Sequence, residues 1–178
     1  MKMKLNQSKL KLAIVSAMLV GSAGFSTAGY ADTDTASMNV STTVAMSCTI
    51  TAGQMTFASY DPTATVDNDT NASITSTCTA GGAAVITMGQ GDRAQGGSSD
   101  AIPLRAMWNG SEGTPEYLPY HVYSDSAGGT VWGNTSDTGK SINADGTAQV
   151  FTAYGRIPKN QTVSSGSFSD SVAVTLTY

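Results

Sequence analysis

Residues 38–50 alternate in polarity. Met38, Val40, Thr42, Val44, Met46, Cys48 and Ile50 fill the even positions, while Asn, Ser and Thr fill most of the odd ones. Period-two patterning gives a strand one buried face and one wet face. At about 3.3 Å per residue the run would span roughly 43 Å, whereas an ordinary strand has about 5–6 residues. It therefore reads as two half-strands of one parity that serve two different cores, with the handover between Ala45 and Ser47.

Shorter runs follow, separated by Gly, Asn, Asp and Pro. Gly53 breaks the first run, and residues 55–62 form a short extended piece with Phe57 turned inward. Residues 63–71 read as a polar loop. Strands are expected at 72–79, 83–88, 102–108, 117–125 and 147–154, with a short rung at Val131 and Trp132. Pro103 marks an edge or irregular strand, and Asn109-Gly110 marks a hairpin turn. In the last run Phe168, Val172, Val174, Leu176 and Tyr178 share parity. No apolar stripe at helical spacing outlasts two turns, so the class is an all-β sandwich or barrel. Roughly six main strands fall short of the seven in a complete immunoglobulin-type sandwich. An apolar final strand needs neighbours on both sides, and the N-terminal run is surplus.

The N-terminus changes the picture of where the chain works. MKMKLNQSKLK carries four lysines and no acid, and an apolar run ending in small residues follows. This is the layout of a secretory signal peptide, too short in its apolar core to span a membrane. Cleavage is expected after Ala31, with Ala28 as the alternative. Past Ala31 five cationic side chains face thirteen acidic ones, so the net charge of −4 becomes −8. Such a surface has no footprint for phosphate backbones, which sets nucleic-acid binding aside. Cys48 and Cys78 are the two cysteines, and a pair in an exported chain reads as one disulfide. The pair is not CxxC, and one histidine cannot complete a metal site.

Candidate chemistry is sparse. His121, the single histidine, lies on the parity opposite Tyr120 and Val122, which points to the surface, and no nucleophile elbow accompanies it. Aspartates at 61, 67, 69, 92, 100, 125, 137, 145 and 170 fall mainly in turns, where they bond their own backbone. Asp67-x-Asp69-x-Asn71 has part of a calcium-loop spacing but lacks its Gly and terminal Glu. Gly89-x-Gly91 follows a strand with no helix to receive a phosphate. The aromatics Trp108, Tyr120, Tyr123, Trp132 and Tyr154 could form a carbohydrate platform, but packing is the stronger reading. Neither an enzyme nor a cofactor is expected.

An ordered set of short motifs carries a family likeness: Cys48-Thr49, Thr56 to Pro62 (TFASYDP), Thr77-Cys78-Thr79, Tyr120 to Asp125 (YHVYSD), Val131-Trp132-Gly133, Tyr154 to Pro158 (YGRIP) and Gly166 to Asp170 (GSFSD). The chain resembles the spore coat U domain family, whose best-known members are subunits of archaic chaperone–usher pili. Phe57-Ala58 departs from an expected Phe-Gly. The resemblance implies an incomplete immunoglobulin-like β-sandwich lacking its final strand, completed by a donor strand from a neighbour. The implied organisation is a signal peptide over 1–31, an N-terminal donor extension over 32–46 and a sandwich over 47–178. The donor face is Met38, Val40, Thr42 and Val44. The acceptor groove and chaperone contact are Val172, Val174, Leu176 and Tyr178. Implied partners are identical or related pilus subunits, a periplasmic chaperone and an outer-membrane usher. The implied location is the cell surface, reached through the periplasm, in adhesion and biofilm formation. A spore or cell-surface coat protein of the same fold is the alternative, and a tip adhesin or hydrolase ranks below both.

Overall fold

Alternating side chains are what the folded chain buries. The computed structural model describes Gly29 and residues 31–178. Apart from Gly29 and Ala31, the expected signal peptide lies outside the described residues. The chain divides into two units, Met1–Ser41 and Thr42–Tyr178. In the first, residues 31–41 carry no regular secondary structure and are exposed. The second holds eight strands: β1 (Cys48–Ala52), β2 (Asn68–Cys78), β3 (Ala83–Met88), β4 (Arg105–Trp108), β5 (Tyr117–Tyr123), β6 (Lys140–Asn143), β7 (Ala148–Ile157) and β8 (Val174–Thr177).

The strands form a five-stranded sheet in the order β1-β2-β7-β5-β4 and a three-stranded sheet in the order β6-β3-β8. Every pairing is antiparallel. The larger sheet contributes Ile74, Leu118, Tyr120, Val122, Ala153 and Ile157 to the core, and the smaller contributes Ala84, Ile86, Met88 and Ile142. Trp132 is wholly buried with them, and its indole N–H donates to the Ile86 carbonyl at 2.8 Å. A buried indole needs such a partner. The architecture is the immunoglobulin-like sandwich with one strand position open.

The disulfide joins Cys48 and Cys78, which face each other across β1 and β2 with Cα atoms 4.1 Å apart. The peptide groups at Ser47, Thr79, Gly53 and Ser73 make the inter-strand bonds on either side of this pair. That parity leaves Cys48 and Cys78 in a narrow, non-hydrogen-bonded pair, where side chains approach most closely.

Several element boundaries differ from the pattern-based expectation. β2 begins at Asn68, inside the expected polar loop, because residues 68–71 pair with residues 154–157 of β7. Its polar start is held by the pairing of Asp69 with Arg156, Nε to Oδ1 at 2.7 Å. β6 was not expected, since only Ile142 in it is apolar; it sits at a sheet edge beside β3. Residues 55–62 form no strand, and neither do residues 38–47. The last strand is regular only over Val174–Thr177.

Candidate functional site

The edge strands β1 and β8 belong to different sheets. Between the chain that follows β1 and the chain that leads into β8 lies a groove of about 600 Å³. One wall is residues 52–60, the other runs through residues 166–174, and core side chains including Ile74, Leu118, Val122 and Ile157 form the floor. The fold's own apolar core is thus open to a ligand along one edge.

Beyond Gly53, whose N–H donates to the Ser73 carbonyl at 2.7 Å, the first wall lies against β7 and β2 without joining their ladder. Thr70 Oγ1 donates to the Thr56 carbonyl at 2.8 Å, and Asn68 Nδ2 to the Ala58 carbonyl at 2.9 Å. Tyr60 anchors the far end, its hydroxyl donating to the Pro158 carbonyl at 2.9 Å. Gly155 of β7 makes this seating fit: a Cβ there would lie 2.5 Å from Met55 Sδ and 2.8 Å from Phe57 Cζ.

The second wall is bonded along one side. Ser169 and Trp108 each donate their N–H to the other's carbonyl, the Ser171 carbonyl accepts from Asp92 N–H, and the Ala173 carbonyl accepts from Gly89 N–H. All three are odd-numbered, so the peptide groups of Val172 and Val174 point the other way, toward the groove. Their side chains are half-buried and line it. The wall therefore offers both an apolar face and a row of free main-chain donors and acceptors, the condition of an unpaired sheet edge.

One residue of the groove lining, Asp170, is charged. Asp170 Oδ2 accepts from the Tyr120 hydroxyl at 2.7 Å, and Oδ1 accepts from Asp92 N–H at 2.9 Å. Burial, with the Asp170 bond second, pushes the Tyr120 phenol well above its usual range. Opposite Tyr120 in the β4–β5 pairing lies Arg105, itself buried. Its Nε donates to the Gly89 carbonyl at 2.8 Å, and its Nη2 donates to Met88 at 3.0 Å and Trp132 at 2.8 Å. Burial pulls the Arg105 guanidinium below its usual value; carbonyl oxygens take the place of water at Nε and Nη2, while Nη1 is buried without a partner.

Of the residues expected at the acceptor site, Val172 and Val174 line the groove. Leu176 packs against the core further along β8, and Tyr178 is 58% exposed; neither lines the groove. The expected donor residues Met38, Val40 and Val44 are 87%, 87% and 77% exposed, and Thr42 is exposed too. Met46 is half-buried, its sulfur against the Cα of Gly82. The pattern did not single out the first wall or Asp170, which it placed among turn aspartates. Only the inward Phe57 hinted at that wall.

The remaining candidates have other occupations. Asp67 and Asp69 pair with Arg156, which holds the Asp69 carboxyl below its usual range through a direct hydrogen bond. Asp61, Asp125 and Asp145 brace turns at Thr63, Thr130 and Thr147 and are likewise depressed by those bonds. His121 is half-buried beside Tyr123, its imidazole pushed down by burial and then by Arg105. Trp132, Tyr120 and Tyr123 are buried, and Trp108 lies under the Arg93 guanidinium, so these aromatics are packing elements.

An all-β sandwich open at one edge defines the class, and comparison with known proteins places the chain within it. Residues 34–175 match the Spore Coat Protein U domain family, and the chain belongs to that family. It is 34% identical over 178 residues to Protein U of Myxococcus xanthus, covering 95% of this chain and 98% of that one. Its fold is similar to a chain of the CsuC–CsuE chaperone–tip adhesion subunit pre-assembly complex from the archaic chaperone-usher Csu pili of Acinetobacter baumannii. The TM-score is 0.54 at 21% identity, over 76% of this chain and 40% of that one. The match thus covers about two fifths of that structural relative.

Proposed function

We propose that the protein is a structural subunit of an extracellular pilus or fimbria that polymerises by donor-strand exchange. The observation that carries this reading is the groove, whose wall joins half-buried Val172 and Val174 to unpaired peptide groups. A strand added there would gain main-chain hydrogen bonds from the edge and specificity from alternate side chains. Residues 38–44 fit the description. They alternate in polarity, and Met38, Val40 and Val44 are exposed apolar side chains. Seven extended residues span roughly 23 Å, the length of the wall from Phe168 to Val174.

Insertion of one copy's segment into the next copy's groove is heterologous and does not close, so it makes filaments. Before assembly the same groove would expose core to water, which calls for a periplasmic chaperone strand and delivery to an outer-membrane usher. The similarity to a chain of a chaperone–pilus subunit complex supports that route. Adhesion and biofilm formation follow from a filament at the cell surface. The donor extension, expected over 32–46, begins after the signal peptide and is drawn back at its end to stop before Met46, because that residue packs on Gly82. A spore or cell-surface coat protein of the same fold is the second reading, favoured by the match to the Spore Coat Protein U domain family. Chaperone and usher genes beside this one would support the pilus.

A chain lacking residues 32–44 tests the proposal. It should accept a donor from the full chain, ending the polymer, and should not extend one by itself. Light-scattering detection of long oligomers of the shortened chain would refute the reading.

A further inference from the structure

We propose that Thr42 sets the register of insertion, by bonding the Asp170 carboxylate of the subunit that receives it. The inference rests on the donor-strand reading and adds which residue meets which. Along the expected donor face Met38, Val40 and Val44 are apolar, and Thr42 alone carries a hydroxyl. Along the half-buried face of the receiving wall Phe168, Val172 and Val174 are apolar, and Asp170 alone is charged. Placing the two polar residues opposite each other in an antiparallel pair puts Val44 on Phe168, Val40 on Val172 and Met38 on Val174. Every apolar donor residue then meets an apolar wall residue.

The parallel alternative with Thr42 at Asp170 fits worse. It sets Met38 on Gly166 and assigns Val174 to Met46, a side chain already packed on Gly82 of its own subunit. A slip of two residues in the antiparallel arrangement brings a valine onto Asp170. It also leaves the threonine hydroxyl between apolar side chains.

Asp170 has capacity for the contact. A carboxylate offers about four acceptor sites, and here one oxygen takes the Tyr120 hydroxyl and the other the Asp92 N–H. In the empty groove water can fill the remaining sites, but a donor strand would exclude it. An acceptor left unmet on burial is disfavoured by about tenfold or more. A hydroxyl at this donor position removes that penalty, and a valine does not.

Cysteine pairs in the full chain read the register directly. Val40→Cys with Val172→Cys, and independently Met38→Cys with Val174→Cys, should yield ladders of disulfide-linked oligomers on non-reducing gels. The slipped pairs, 40 with 174 and 38 with 172, should give about tenfold less. Adding Thr42→Val should bring the in-register and slipped pairs to within about threefold, while Thr42→Ser keeps the preference. A slipped pair that links best, or a preference unmoved by Thr42→Val, would overturn the register while leaving insertion standing. No ladder from any of the four pairs would remove the donor-strand reading itself. Two in-register pairs at different residues guard against one variant misfolding.

Discussion

Val40→Asp separates assembly from folding, because the residue is exposed in the free chain. Val40 is 87% exposed, so the subunit owes it little stability, and exposed substitutions generally move stability by no more than about 0.5 kcal/mol. In a donor strand its side chain would be buried, contributing about 1.5–3 kcal/mol to assembly. An aspartate there forfeits that contribution and brings an unpaired carboxylate into the groove, at a penalty of several kcal/mol. Together the loss is at least about 4 kcal/mol, or about three orders of magnitude in the subunit–subunit constant. Ser41→Asp is the control: it adds the same charge on the opposite, wet face and should change assembly by less than about threefold. Light scattering gives the oligomer distribution, and thermal melting of the same samples gives the fold's stability. Normal polymerisation by the Val40→Asp chain would refute the reasoning. A lowered melting temperature with assembly intact would place Val40 in its own subunit's core instead.

Two further outcomes follow from the sandwich itself. Replacing both Cys48 and Cys78 with serine should lower the unfolding free energy by about 3–4 kcal/mol, given their separation of 30 residues; an unchanged urea midpoint would contradict this. Gly155→Val should push Met55 and Phe57 off β7, since even a Cβ there lies 2.5 Å from Met55 Sδ. Overpacking of this kind typically costs about 1–3 kcal/mol. Donor acceptance should weaken with it, and an unaltered midpoint with normal assembly would show that the wall is not seated through Gly155.

What could be read from the chain was whatever depends on parity. The even-numbered apolar series near the C-terminus marked Val172 and Val174, and both line the groove. The two cysteines are joined. What escaped depends on partners distant in sequence. Residues 53–60 become a wall because Gly155, about a hundred positions later, leaves room for Met55 and Phe57, and because Thr70, Asn68 and Tyr60 bond it in place. Asp170 leaves the turn class because Tyr120 and Asp92 reach it from elsewhere. Arg105 gave no sign of burial, since its solvation comes from carbonyls at 88, 89 and 132. β6 has one apolar residue and takes its pairing from β3. Its periodicity was too short to register.

The position of the Cys48–Cys78 bridge has a mechanical consequence. Cys48 is the first residue of β1, two positions after Met46, and Cys78 is the last residue of β2. In a filament, tension would reach each subunit along residues 38–47 and, past the hydrogen bonds that Ser47 makes with Thr79, meet a covalent bond before any hydrogen bond within β1. The load would pass into β2, which pairs with β7 over residues 68–77, and spread through that ladder in shear. Peeling β1 away residue by residue, the easy failure of an edge strand, is thereby bypassed. Under reducing conditions the same pull would begin at β1, and the filament should part at lower force.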